Sequence, residues 1–153
     1  MLALAGIAVA SKDAVNRAQE LYQHTEYQNS LKILAHDPAP DVATYLLTGK
    51  NYFMMADYKK ATEFFEKCVA LTPNSSDAHL WLGRAWGRRA ENSTLLAIGY
   101  AKKAHQAFEK AVALDPHNTE ARNDLFDYYL NAPGFLGGGL EKAEALSRGI
   151  AAE

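Results

Sequence analysis

Residues Ala56–Pro73, ADYKKATEFFEKCVALTP, read as a tight turn, a helix and a stop. Tyr100–Pro116, YAKKAHQAFEKAVALDP, echo them. Superposed, the two stretches share KKA-x3-F-E-K-x-V-A-L-x-P. Ala61 then falls on Ala104, Phe65 on Phe108, Leu71 on Leu114 and Pro73 on Pro116. A chain that repeats itself at this length points to a stacked array, because a single helical hairpin cannot bury its apolar face alone.

Working outward, the same rhythm continues. Ser11–Asp37 carries two helical stripes, Ala14, Ala18, Leu21 and Tyr22, then Tyr27, Leu31 and Leu34, with the joint near His24-Thr25-Glu26. Pro38 and Pro40 end the second stripe, and Asp41 is placed to cap the next helix. Val42–Met55 puts Tyr45, Gly49, Tyr52 and Phe53 on its packing side. Asp57 caps the helix that runs to Leu71, and Ser76 or Asp77 is the expected cap of the helix carrying Trp81, Leu82, Ala85 and Trp86. Ala61 and Ala104 are 43 residues apart, longer than a period of about 34. The excess falls within Ala90–Gly99, and the unbroken stripe Ala97, Ala101, Ala104, Phe108, Ala111 predicts an early start of the following helix by about two turns. Thr119–Asn131 is the next helix. Ala132–Gly139, APGFLGGG, breaks it as a long turn around an inserted Phe135, and Leu140–Ala151 is the last helix.

The totals agree with a globular helical protein. Hydrophobic residues make up 48% and charged residues 22% of the 153, which excludes a disordered chain. The net charge of −2 gives no bulk attraction to nucleic acid or an anionic membrane. Cys68 is the single cysteine, so no internal disulfide forms. It reads as a small buried filler, since no basic neighbour activates it. Met1–Ala10, MLALAGIAVA, is too short to span a bilayer. It matches the apolar core of a secretory signal, or it forms an N-terminal cap on the first repeat. Exported and cytoplasmic locations both stay open.

On these residues the chain resembles the tetratricopeptide repeat (TPR) proteins, among them bacterial ones of unassigned activity. The second unit supplies Tyr45, Gly49, Tyr52, Tyr58, Ala61, Phe65 and Pro73. The third supplies Leu82-Gly83, Trp86, Ala104, Phe108, Ala111 and Pro116, and Gly49 to Gly83 is 34 residues. The first and fourth units are weaker, with Ser30 standing for the usual alanine of the first. The resemblance implies an all-α, right-handed superhelix of antiparallel helix pairs, about four repeats. One domain is expected over 11–153, with units near 11–38, 41–75, 76–118 and 119–153.

No catalytic motif is present. His24, His36, His79, His105 and His117 lack ligand spacing, so no metal is expected and all five read as surface residues. Gly134–Lys142, GFLGGGLEK, fails as a phosphate loop, because Leu140-Glu141 separate the glycines from the lysine. No nucleophile-elbow motif surrounds any serine. No cofactor is expected.

The family resemblance implies a ligand groove lined by the first helix of each pair. Carried over by position, this places Lys50, Phe53 and Met54, then Leu80, Arg84 and Arg88, then Asn123 and Asp127 in the groove. Lys50, Arg84 and Arg88 would make a basic centre for a protein or peptide with an acidic segment. The family's chaperone-tail clamp is not met, since Leu47, Asp77 and Trp81 stand where polar or basic residues are needed. The expected function is a non-catalytic protein- or peptide-binding scaffold, with no nucleic acid and no membrane span. The alternative is an assembly module that self-associates through the apolar flank of its last helix, Leu140, Ala143, Leu146 and Ile150.

Overall fold

Helix starts follow the caps that the sequence supplies. In the computed structural model, which describes residues 2–151 and the side chains of residues 9–149, the Asp41 carboxylate accepts from the Thr44 N–H at 3.1 Å, and the Thr44 hydroxyl accepts from the Asp41 N–H. Asp57 accepts from the Lys60 N–H and Asn118 from the Ala121 N–H in the same way. Ser75, not Ser76 or Asp77, caps its helix by accepting from the Ala78 N–H. Ser76 is buried instead and donates to the Ala111 carbonyl at 2.8 Å. The helices are α1 (Leu2–Gln23), α2 (Tyr27–Leu34), α3 (Val42–Met54), α4 (Tyr58–Leu71), α5 (Ser76–Glu91), α6 (Ala97–Leu114), α7 (Thr119–Asn131) and α8 (Leu140–Ala151), with a short 3-10 turn at Gly134–Leu136. No strand occurs among the described residues. The cap expected of Met1–Ala10 rests largely on side chains outside those described.

The chain divides into two compact units, Met1–Pro73 and Asn74–Glu153. In the first, α1 pairs with α2 and α3 with α4. Both pairs turn through a left-handed residue two positions before the second helix, Thr25 (φ 62°) and Ala56 (φ 61°). In each, the next N–H reaches back five residues, from Glu26 to the Leu21 carbonyl at 2.8 Å and from Asp57 to the Tyr52 carbonyl at 2.9 Å. The two helix pairs of the first unit therefore share one turn geometry, although the sequence of the first pair is the weaker repeat. Phe65 is fully buried on α4 and lies against Gly49 of α3, where a Cβ would sit 2.5 Å from the ring. Ser30 replaces the usual alanine at no packing cost. It is fully buried, donates to the Ala18 carbonyl at 2.8 Å and accepts from the Asn51 amide at 2.9 Å, tying α1, α2 and α3 together. Asp37 does the same near the proline loop. Burial acts to raise its carboxyl pKa, but hydrogen bonds from Thr44, the Ala39 N–H and Ser11 outweigh this and hold it below the ordinary value. Cys68 is fully buried, and desolvation pushes its thiol up to about 11.

In the second unit α5 pairs with α6 and α7 with α8, and α7 also packs on α5 and α6. Its core holds Leu80, Trp86, Phe108, Leu125 and Tyr129, with Ala104, Ala111, Ala121 and Ala143 at the close contacts. The inserted residues divide differently from the expectation of two added turns on α6. α6 begins four residues before the position equivalent to Tyr58, α5 ends three beyond the equivalent of Met54, and the loop gains two. The hairpin is thus about one turn longer on both helices, because a turn added to one alone would lack a partner. Ala143 and Leu146 are used in packing on α7, so the expected apolar flank of α8 shrinks to exposed Leu140. Ile150 lies outside the described side chains.

The glycines of α5 separate two roles. A Cβ at Gly83 would meet the Phe108 ring at 2.7 Å, whereas a Cβ at Gly87 meets nothing within 4 Å. Gly87→Ala is expected to stabilise the protein by about 0.5–1 kcal/mol through helix propensity. Gly83→Ala should instead cost about 1–3 kcal/mol by overpacking. Urea midpoints of the two variants, read side by side, check both signs.

Candidate functional site

The first helix of each pair carries the expected ligand-facing residues. On α3, Tyr52 turns toward α4 and stacks on Phe64 with ring centroids 5.7 Å apart, leaving the opposite side to Lys50, Phe53 and Met54. Lys50 and Phe53 are half-buried, and the Phe53 ring packs edge-on against Tyr58 at 5.3 Å. Met54 is 47% exposed, and Met55 after it is exposed too. Sequence reasoning gives Met55 no part in the site. Its pairing with Met54, two large apolar residues at a helix end, is the signal that could find it.

In the second unit the expected set separates. Leu80 is 1% exposed and belongs to the core, so it offers nothing to a ligand. The reason is that α5 is flanked by α6 and by α7, and its apolar arc is wider than a lone hairpin requires. Arg84 is half-buried and committed. Its Nε lies 2.5 Å from Asp124 Oδ2, its Nη2 lies 2.9 Å from Glu120 Oε2, and its guanidinium stacks on Trp81 at 4.8 Å. Burial acts to lower the Arg84 pKa, and the hydrogen bonds and charges of Asp124 and Glu120 outweigh it and hold it above the usual value. Arg84 and Arg88 share a helix face but not a role. Arg88 is exposed and pairs with Glu91 at 2.8 Å. Asn123 and Asp127 are exposed on α7. The basic centre expected of Arg84 is therefore offset by two carboxylates of its own unit.

One histidine departs from the surface reading. The His105 side chain is mostly covered, its ring stacks on Tyr128 at 4.9 Å and 5°, and its Nε2 lies 3.0 Å from Glu109 Oε1. The Tyr129 hydroxyl donates to the same Glu109 oxygen at 3.1 Å, and burial together with Glu109 pushes this phenol up to about 12. Gly137 rests on the His105 ring, where a Cβ would be 2.4 Å from Cε1. The cluster seats the glycine-rich turn on α6. Phe135, expected to be inserted, instead points outward, 71% exposed. Among the described residues no group of side chains is arranged to hold a metal ion, and no helix is long and apolar enough to cross a membrane.

These features agree with the comparisons. A family model described as tetratricopeptide repeat matches residues 42–75, the α3–α4 pair. No curated protein sequence matches the chain. Among solved structures, a thermophilic TPR protein of Thermus thermophilus superposes with a TM-score of 0.73 at 19% identity, covering 90% of this chain and 71% of that one. The first TPR of Spaghetti (RPAP3), bound to the HSP90 peptide SRMEEVD, gives 0.66 at 18% identity over 78% of this chain and 90% of that one. The second TPR domain of the human RPAP3 protein, in complex with the HSP70 peptide SGPTIEEVD, gives 0.64 at 19% over 80% and 94%. Folds of this kind are commonly non-catalytic scaffolds for protein interaction, and two of these structures hold peptides. With its described helices in consecutive pairs and a tetratricopeptide repeat matched at residues 42–75, the chain has the fold of the tetratricopeptide repeat structures it resembles.

Proposed function

We propose that this protein is a non-catalytic scaffold that binds a protein or peptide through the first helices of its pairs. The observation that carries the reading is the α3 surface: exposed Met54, half-buried Phe53 and Lys50 fall at i, i+3 and i+4 and so share one face. Flexible methionine beside an aromatic ring suits an apolar side chain, and the lysine suits a neighbouring carboxylate. In the second unit, taken by itself, Arg88 on α5 and Asn123 and Asp127 on α7 are exposed. The ligand class is a peptide with an acidic segment and an apolar residue. The peptides held by two of the similar folds have that chemistry, both ending in Glu-Glu-Val-Asp. Chaperone tails themselves are not proposed, because Leu47 is buried where the clamp needs a polar group.

The test is fluorescence polarisation against a panel of labelled acidic heptapeptides, each with one apolar residue, at low and high salt. The wild type should bind a subset, more weakly as salt rises. Lys50→Glu should lose about tenfold in affinity, a change of about 1.4 kcal/mol. Arg84 is unsuited to this experiment, since a glutamate there would face Asp124 and Glu120 and report on folding. Unchanged binding in K50E would remove α3 from the site. The second reading, self-association through α8, is supported by a shallow groove of about 330 Å³ lined by Phe126, Leu140, Ala143, Glu144, Ser147 and Arg148. A chain that binds no peptide but sediments as an oligomer would favour it.

A further inference from the structure

Four exposed large apolar side chains of the second unit lie on two neighbouring turns. Leu95 is 95% exposed, and Leu96 and Ile98 are each 55% exposed, all at the α5–α6 joint. Phe135 is exposed on the α7–α8 turn. The two turns are neighbours. The Tyr128 hydroxyl lies 2.8 Å from the Leu136 carbonyl and 3.1 Å from that of Ala101, one turn beyond Ile98. This exposure belongs to an ordered loop. The Ser93 hydroxyl accepts from the Leu96 N–H at 3.0 Å, and the Asn92 amide donates to the Arg88 carbonyl at 2.8 Å. The extra turn on α5 and α6 makes this hairpin longer than the α3–α4 pair and places the joint at its far tip.

Behind the apolar tips the charge is positive. Arg88 and Arg89 close α5, Lys102 and Lys103 stand on the second turn of α6, and Lys142 on α8 donates to the Gly137 carbonyl at 2.9 Å. The carboxylates at this end, among the described residues, are Glu91, paired with Arg88, and Asp127 and Glu141. These cations outnumber the acids in a chain whose net charge is −2. Arg89 stacks on Trp86 and Tyr100 at 4.4 Å, and Lys103 lies 4.2 Å from the Trp86 ring, so these cations are seated on aromatic rings of the hairpin.

We propose that this end of the second unit is a peripheral contact for an anionic lipid surface, with Leu95, Leu96, Ile98 and Phe135 entering the headgroup region and Lys102 and Lys103 meeting the lipid charge. Apolar side chains backed by lysine and arginine are the chemistry of interfacial binding. A bilayer accepts separate projecting side chains without a matching cavity, whereas a protein partner must supply a hollow for each one. The contact is independent of the α3 surface.

The experiment is co-sedimentation of the full chain with vesicles of phosphatidylcholine alone and of phosphatidylcholine doped with phosphatidylglycerol. Binding is expected only to the doped vesicles and should weaken as salt rises. Lys102→Gln and Lys103→Gln should each lower the partition coefficient about fivefold. Leu95→Asp with Phe135→Asp should abolish binding while the melting temperature stays unchanged, since both side chains are exposed in the fold. The proposal is overturned if the wild type stays with the supernatant, or if the double aspartate variant binds as the wild type does. It is equally overturned if those aspartates instead dissociate a protein dimer and lipid is never bound.

Discussion

Phe65→Ala is expected to lower the free energy of unfolding by about 3–5 kcal/mol, the range for deleting a buried aromatic. The upper part of that range is the expected value, because the site cannot close. The ring is fully buried and lies directly on Gly49, where a Cβ would come within 2.5 Å of it. Glycine has no side chain to follow the ring into the space, and the caps at Asp41 and Asp57 fix the starts of both helices. A cavity therefore remains, and its lining loses dispersion contacts on one side. Urea denaturation reads the change directly from the midpoint at constant slope. A second measurement isolates the contact. Gly49→Ala should be strongly unfavourable in the wild type but tolerated in the Phe65→Ala background, where its methyl enters the vacated space. The two changes then couple strongly. Simple additivity would mean that Gly49 and Phe65 do not fill one space.

Gly138→Ala is expected to cost about 3 kcal/mol, at the upper end of overpacking, because its clash is with backbone. A Cβ at Gly138 would lie 1.8 Å from the Ala132 carbonyl oxygen, and no rotamer change relieves such a contact. The turn is held on both sides. The Gly138 N–H donates to the Pro133 carbonyl at 3.2 Å and the Gly139 N–H to that of Tyr129 at 2.8 Å. Gly137 before it has φ 92°, a left-handed conformation that favours glycine, and rests on the His105 ring. The substitution should release the turn and with it the packing of α8 through Ala143. Amide exchange should then accelerate in α8 well before α5 and α6. Gly134, where a Cβ meets nothing within 4 Å, is the control, and Gly134→Ala should stay within about 0.5 kcal/mol of the wild type. A Gly138→Ala protein that melts like the control would refute the steric account of this loop.

The repeat Ala56–Pro73 against Tyr100–Pro116, with the cap residues and prolines around it, was sufficient as sequence alone to determine the helix pairs and the caps at Asp41 and Asp57, while the meeting of Gly49 with Phe65 and of Gly83 with Phe108 appears only in the structure. The pairs and caps depend on spacing along the chain, and a helix converts spacing into a face by local geometry. Only the tertiary structure decided what the charges and the insertion do. Arg84 and Asp124 are 40 residues apart, and only the packing of α7 on α5 turns a flanking acid into the direct partner of Arg84, with Glu120 beside it. By position Leu80 belongs to a groove, yet α6 and α7 cover it from two sides. By spacing His105 belongs to the surface, yet the glycine turn closes over its ring. The insertion was visible as a count of residues, but its division between α5, the loop and α6 follows from helices that must lengthen together to stay packed. A sequence pattern records which side of each helix is apolar, and what meets that side depends on contacts between segments far apart in the chain.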